Sequence, residues 1–127
     1  MNAFQIADTF VALDDASHAR PLPYTPDFWQ AIVTGRLGPF SRLVSCFSYD
    51  SDWPGWERHP AGEEFVCLLE GAVELHLEKD GVHDTVVLDQ PGAYVLMPTN
   101  TWHTAKVRKP ARMIFVTPGE GTQNRPV

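Results

Sequence analysis

Hydrophobic and polar residues alternate along much of the chain, and this pattern predicts a protein built of short β-strands. In residues 73–78 (VELHLE) apolar and polar side chains alternate strictly, which is typical of a strand with one buried face. Asp80-Gly81 follows, a dipeptide that suits a two-residue type I′ hairpin, with a partner strand at 82–88. Composition and turn residues predict further strands at residues 9–13, 41–49, 64–69, 93–97, 102–108 and 112–117.

One helix is predicted near the N-terminus. Thr25 is placed to cap it, and Asp27 favours the positive end of the helix dipole. Phe28 and Ile32 give the helix an apolar stripe, and Gly35 is placed to end it. We expect this helix to pack against the outside of a sheet.

Eight or nine short strands, near-regular turns and one helix indicate an all-β fold, either an antiparallel sandwich or a closed barrel. The 127 residues, 43% of them hydrophobic, suffice for one domain and not for two. We place its core at about residues 40–117, after an N-terminal strand and helix arm at 1–39. The tail at 118–127 is predicted to be loose.

The net charge limits which classes of partner are expected, and the cysteines bear on the cellular compartment. A formal net charge of −6 argues against a nucleic-acid or anionic-membrane partner. No run approaches the about 20 apolar residues of a membrane span, and the N-terminus lacks a signal-peptide pattern. We therefore predict a cytoplasmic protein in which Cys46 and Cys67 are free, buried thiols.

Four side chains that commonly bind metals stand out in the sequence. Glu57, His59 and Glu64 lie within eight positions, and on a strand Glu57 and His59 would point to the same face. The turn at 60–62 is expected to return Glu64 on the neighbouring strand. His103 follows its own turn at 98–101.

Two spaced motifs carry a family resemblance. His59-x4-Glu64-x6-Gly71 and Gly92-x5-Pro98-x4-His103 resemble the two sequence motifs of the cupin superfamily, over about half of the chain. The resemblance implies a double-stranded β-helix, or jelly-roll barrel, with a metal held inside near its mouth. It also implies a homodimer.

The resemblance suggests which residues bind the metal. In that family the first motif normally supplies two histidines and a glutamate, and the second supplies one more histidine. The matching residues here are Glu57, His59, Glu64 and His103, with Glu57 in the place of the first histidine. Asn100 and Val107 also depart from the usual glycine and asparagine. The implied cofactor is a divalent transition metal, Fe, Mn, Ni or Zn.

Two alternatives stay open for this set. In one, the chain retains the motif without the metal, and Glu57 pairs with Arg42, Arg112 or water. In the other, a metal is bound and its identity decides whether the site is structural or can bind a substrate. Four ligands fill a tetrahedron around Zn, whereas octahedral Fe, Mn or Ni keeps two positions open.

Strand parity predicts the walls around the site. Residues that share the inward face with Glu64 and His103 are expected to line the pocket: Val66, Leu68, Val95, Met97 and Ala105. Trp56 and Trp102 either rim the mouth or pack on the outer face. The outward row Phe65, Cys67 and Leu69 is apolar enough to need a cover, supplied by the helix or by a second subunit.

The favoured function is a metal-dependent enzyme of the oxygenase, isomerase or lyase type acting on a small polar or chelating metabolite. Glu57, if loosely bound, would serve as a proton shuttle. The alternative is a non-catalytic cupin that binds or senses a small ligand, because a fold alone does not decide the function.

Overall fold

The computed structural model describes residues 1–127, which form nine strands and one six-residue helix. The strands are β1 (Thr9–Leu13), β2 (Ala19–Pro23), β3 (Arg42–Tyr49), β4 (Gly55–Arg58), β5 (Glu64–Lys79), β6 (Val82–Leu88), β7 (Tyr94–Met97), β8 (Trp102–Thr117) and β9 (Gln123–Pro126). Helix α1 spans Phe28–Val33.

The strands form two antiparallel sheets that share the long strands β5 and β8. The first half of β5 pairs with β7 and with the second half of β8, which continues through β3 and β1 to β2. The second half of β5 pairs with β6 and with the first half of β8, which continues through β4 to β9. This arrangement confirms the predicted all-β jelly-roll fold with one short helix.

Several strand predictions are confirmed almost to the residue, and others are wrong in how the strands connect. Strands β1 and β6 have the predicted bounds, and Asp80 and Gly81 both have the positive φ angles, 52° and 78°, of the predicted hairpin turn. However, the pairs of strands predicted at 64–69 and 73–78, and at 102–108 and 112–117, are the halves of β5 and β8. The pairing continues because register shifts between Leu68 and Val73 absorb the irregular residues.

Gly71 marks the bend of β5. Its φ is +85°, and a Cβ added there would lie 2.1 Å from the carbonyl oxygen of Pro110 on β8. Only glycine accepts both the positive φ and this close approach of two backbones. The bend folds each long strand over its own other half, so that the two sheets face one another.

The side chains between the sheets form the main hydrophobic core. Its fully buried members come from both halves of β5 and β8, and include Val66, Leu68, Leu75, Ala105 and Met113. Close packing of these residues fills the barrel below its mouth.

Helix α1 lies on the inner side of its sheet, so the prediction that it packs outside is wrong. Phe28 is buried with its ring centroid 5.4 Å from that of Phe10 on β1, in a second cluster with Leu43. The helix covers the apolar inner face of β1 and β3. The predicted Thr25 cap is also wrong, because Asp27 holds the N-cap position without a side-chain cap. Gly35, with φ +75°, ends the helix as predicted.

The C-terminal segment is ordered as a strand, which corrects the predicted loose tail. Strand β9 pairs with β4 over four residues, with Trp56 opposite Arg125. The Arg125 guanidinium lies over the rings of both Trp56 and Trp102 and contacts Glu78 at 2.9 Å. These contacts hold the segment to the barrel. Strand β2, in a proline-rich passage, was also missed.

The outward row on β5 stays partly open. Phe65 contacts Tyr94, with ring centroids 5.2 Å apart, while Tyr94 and Leu96 are 59% and 58% exposed. Because α1 lies on the inner side, it does not cover this row, and the predicted homodimer stays a prediction. Cys46 and Cys67 are free, as predicted, although Cys67 is only half-buried. The single helix is too short to cross a membrane, and the cytoplasmic location also stays a prediction.

We predict that Gly71→Ala lowers the free energy of unfolding by about 3 kcal/mol, because it combines backbone strain with a clash against β8. Gly81→Ala is the matched control: its φ is also positive, but no atom lies within 4 Å of the added Cβ, and it should cost about 1 kcal/mol. Urea unfolding of both variants measures the difference. Equal losses would show that the close approach at Gly71 does not constrain the fold.

Candidate metal centre

Four side chains from three strands converge inside the barrel. Glu57 lies on β4, His59 follows that strand, Glu64 begins β5 and His103 is the second residue of β8. One ligand atom from each lies within 4.8 Å of the other three. His59, Glu64 and His103 are buried, and the Glu57 side chain is 33% exposed.

The four residues meet across the space between the sheets. Glu57 is the β-pair partner of His103, whereas Glu64 stands on the opposite sheet, paired with Met97. The expectation that Glu57 and Glu64 lie on neighbouring strands is therefore wrong. The short connection at 59–63 crosses from one sheet to the other, and the backbone N–H of Asn100 secures it by donating to the His59 carbonyl at 2.9 Å.

The distances suit a single cation. His59 Nε2 lies 3.2 Å from Glu64 and 3.6 Å from Glu57, and His103 Nε2 lies 3.3 Å and 3.7 Å from the same two carboxylates. Two ligand atoms about 2.1 Å from one ion, at tetrahedral or octahedral angles, lie about 3.0–3.4 Å apart. These ligand atoms, with both oxygens of Glu64 among them, thus surround a point where a transition metal ion fits with little movement.

Hydrogen bonds orient both imidazoles towards that point. The Thr122 hydroxyl donates to the Gly119 carbonyl at 2.8 Å, so its oxygen accepts from His59 Nδ1, also at 2.8 Å. His103 Nδ1 donates to the Thr101 carbonyl at 2.9 Å. With Nδ1 protonated, each neutral ring presents the Nε2 lone pair to the centre, the arrangement typical of metal-binding histidines.

Three buried atoms at the centre lack a hydrogen-bond partner: His59 Nε2, His103 Nε2 and Glu64 Oε1. The other Glu64 oxygen accepts from the Thr117 hydroxyl at 2.5 Å. Buried polar atoms are rarely left unpaired because desolvation is costly. The unpaired atoms are those aimed at the common point, which is what a metal ligand set requires.

No arginine pairs with Glu57. Arg112 instead lies 3.5 Å from Glu70, and Arg42 forms no ion pair with Glu57. The charged partners of Glu57 are His59 and His103. The alternative in which an arginine neutralises Glu57 therefore lacks support in the geometry.

The charges at the centre balance with or without an ion. Burial opposes ionisation of all four groups, but the two carboxylates raise the pKa of His59 to about 9 and of His103 to about 10. The two histidines in turn lower the pKa of Glu57 to about 2 and lower that of Glu64. Two imidazolium ions balance two carboxylates, as one divalent ion would with neutral histidines, so metal binding must displace protons.

A cavity of about 1310 Å³ leads from this centre to the surface. Glu57 and the buried His59 and Glu64 line its inner end, and Trp29 and Val33 of α1, which are 51% and 86% exposed, mark its mouth. The cavity thus connects bulk solvent to the face of the centre on which Glu57 stands.

Of the seven predicted pocket residues, one lines the cavity and six lie elsewhere. Trp56 lines the cavity. The others do not: Val66, Leu68 and Ala105 are in the main core, Val95 packs against it, Met97 is buried beside Glu64, and Trp102 lies between Arg58 and Arg125. Inward side chains in mid-strand meet the opposite sheet and fill the barrel, so inward parity alone does not place a residue on an open wall.

Most of the residues that line the cavity were not identified from the sequence. The threonines that hydrogen-bond to the candidate ligands were not identified either. Phe47, Tyr49, Trp53 and Phe115 line the cavity, although only their aromatic character marks them in the sequence. Burial, followed by the charges of Glu57 and Glu64, raises the pKa of Tyr49, so its phenol stays protonated. Thr101, Thr117 and Thr122 belong to no motif, and only the folded chain brings them to the ligands.

We predict that the metal-free protein is most stable between about pH 4.5 and 6.5. The raised pKa values of His59 and His103 stabilise the fold fully below their usual 6.5, and this contribution is lost as the pH rises through about 9 and 10. The lowered pKa of Glu57 stabilises the fold above its usual 4.5, and this contribution is lost as the pH falls towards about 2.

Thermal unfolding in EDTA from pH 4 to 10 measures this dependence, with His103→Gln as the control in which the alkaline loss should shrink. A melting temperature that is flat or rising between pH 6.5 and 9 in the unsubstituted chain would contradict the coupling between these four groups.

Comparison with known proteins shows the family. The family model for the cupin domain matches residues 49–117, more than half of the chain. No curated protein matches the sequence. The structure, in contrast, is similar to many solved structures.

Three of these solved structures show the range of sequence identity and coverage. Hydroquinone 1,2-dioxygenase from Sphingomonas sp. TTNP3 with 4-hydroxybenzoate bound is 20% identical, with a TM-score of 0.52 over 65% of this chain and 62% of that one. Hydroxypropylphosphonic acid epoxidase from S. wedmorenis in complex with fosfomycin is 20% identical, with a TM-score of 0.51 over 61% and 43%. Oxalate decarboxylase from Bacillus subtilis is 13% identical, with a TM-score of 0.57 over 68% and 24%.

These similarities concern the fold, because the identities are low and the chain spans less than two thirds of each of the three proteins. The two motifs, the bent pair of long strands and the matched family model lead to the same assignment. The chain belongs to the cupin family.

Proposed function

We propose that this cupin is a metal-dependent enzyme of the oxygenase, isomerase or lyase type that acts on a small molecule. The supporting observation is the convergence of two glutamates and two histidines at the floor of a solvent-connected cavity, with both Nε2 atoms unpaired. Similar cupin-fold structures include a dioxygenase, an epoxidase and a decarboxylase, which is consistent with this class of chemistry.

Glu57, His59, Glu64 and His103 would hold the ion, and imidazole with carboxylate suits Fe, Mn, Ni or Zn. Among the similar structures are that of an Fe(II) enzyme, Fe(II)-HppE, and that of oxalate decarboxylase with its Mn(II) centres. When bound, such an ion supplies a Lewis acid and open coordination positions for a substrate or dioxygen. An octahedral ion with four protein ligands keeps two such positions.

The two glutamates are suited to different tasks. Glu64 is 2% exposed and is held by Thr117. Glu57 is 33% exposed and faces the cavity. A carboxylate that touches both the ion and the substrate side is placed to move a proton, which is the role we assign to Glu57. Glu64 anchors the ion.

Metal analysis of the purified protein, followed by assays of dioxygen uptake and product formation on the metal-loaded chain, tests the enzyme. Turnover of any tested compound that needs the ion supports it. Ion-dependent binding without turnover of any compound in a broad panel of chelating acids and phenols would favour the ligand-binding or sensing alternative. A tightly bound Zn that is closed to added ligands would also count against catalysis.

We predict that Glu57→Ala lowers the affinity for Mn²⁺ or Fe²⁺ by at least about 100-fold, the upper end of what loss of an outer-sphere partner costs. The fold should survive, because the core does not include Glu57. Isothermal titration and far-UV circular dichroism measure the two effects. Unchanged metal stoichiometry and affinity would remove Glu57 from the site.

We further predict that Thr122→Val weakens metal binding about 10-fold, because His59 loses the acceptor that orients it. Thr122→Ser keeps the hydroxyl and should bind metal like the unsubstituted chain. Metal titration of the two variants isolates the hydrogen bond from the packing of the C-terminal segment. Equal affinity in both would show that Thr122 does not orient the ligand.

A further inference from the structure

The walls of the cavity form a continuous aromatic surface from its mouth to the candidate metal centre. The rings of Trp29 and Phe47 stack with centroids 6.1 Å apart, Phe47 contacts Tyr49 at 6.4 Å, and Tyr49 contacts Trp53 at 5.4 Å. Trp53 in turn lies 6.3 Å from the His103 ring. Such a surface favours a flat ring that stacks or packs edge to face.

Apart from His59, a candidate metal ligand, the same cavity contains no basic side chain. None of its lining residues is lysine or arginine, whereas Glu57, Glu64 and Glu120 are all acidic. A divalent ion balances Glu57 and Glu64, and its open positions would be taken by the ligand's coordinating oxygens, so no cation is left for an anionic group elsewhere on the ligand. An anionic group that does not reach the ion would therefore be buried without a partner, which is costly.

The hydroxyl groups among the rings are neutral. Ser45 and Tyr49 offer hydroxyls to the cavity, while the Thr117 proton is already used on Glu64. Since Tyr49 keeps its proton, it can donate to a ligand oxygen but carries no charge to offset a carboxylate. The volume, about 1310 Å³, exceeds the about 300–1,000 Å³ of most small-molecule sites, so it admits one or two rings.

We propose that the substrate is an uncharged aromatic molecule with hydroxyl or carbonyl oxygens, bound with its ring on the aromatic surface and its oxygens towards the metal centre. This inference rests on the proposed metal-dependent function and narrows its substrate class. It makes aromatic acids whose carboxylate lies away from the ion poor substrates.

Two probes that differ in one group test the charge preference. 4-Methylcatechol and 3,4-dihydroxybenzoate share the ring and the chelating oxygens, and only the second carries a carboxylate. On the Mn²⁺-loaded chain we expect the methyl compound to bind at least about 10-fold more tightly, because the carboxylate lacks a partner. Equal or tighter binding of the acid would overturn the proposal. Oxalate, a chelator without a ring, should bind more weakly than 4-methylcatechol.

Two variants test the aromatic surface. Trp29 is 51% exposed at the mouth, so the Trp29→Ala variant should fold normally. It should bind 4-methylcatechol at least about 5-fold more weakly, and its affinity for Mn²⁺ should be unchanged. Tyr94→Ala removes a similarly exposed ring outside the cavity and should change neither affinity. Equal 4-methylcatechol binding by both variants would contradict the aromatic contact.

Failure of this inference differs from failure of the proposed function. A chain that binds Mn²⁺ and prefers the acid keeps the metal-dependent function and loses the aromatic, uncharged substrate. A chain that binds no metal loses the metal-dependent function. The pair 4-methylphenol and 4-hydroxybenzoate on that metal-free chain still tests the cavity, and a preference for the acid there overturns the inference as well.

Discussion

The bend shared by β5 and β8 is the constraint on which the site depends. His103 pairs with Leu77, which lies 13 residues along β5 from Glu64. In a straight strand, Glu64 and Leu77 would be about 43 Å apart. Yet Glu64 Oε1 and His103 Nε2 are 3.3 Å apart. The strand turns back on itself at Gly71, where the backbones of β5 and β8 approach more closely than any side chain would permit. A glycine remote from the ligands thereby creates the space in which they meet.

Charge balance then explains why a buried group of two acids and two imidazoles is tolerated. Each carboxylate lies within 4 Å of both histidines, so the set can hold either two protons or one divalent cation at no net charge. Hydroxyl and carbonyl groups of Thr101, Thr117 and Thr122 turn the ligand atoms inward. Because Thr122 precedes β9, the C-terminal segment contributes directly to the centre.

In the proposed function, the cavity would supply the selectivity that a metal at this centre lacks. A cation with two histidines and two carboxylates would accept many oxygen ligands, and the cupin fold carries several chemistries. We infer that the surrounding rings and the absence of lysine and arginine would distinguish between those ligands. The short helix α1 takes part, since it borders the mouth and does not cover the outside of a sheet.

Local pattern in the sequence sufficed for most strands, the hairpin at Asp80-Gly81, the family and the four candidate ligands, because strand periodicity, turn chemistry and motif spacing are short-range properties. Only the tertiary structure decided that Glu57 and Glu64 approach from opposite sheets, that 123–126 is a strand, and that Tyr49 and Trp53 form walls while Val66 and Leu68 fill the core. The physical reason is that these relations join residues distant along the chain. Which inward side chains meet the opposite sheet, and which face open space, depends on how the two sheets close over one another.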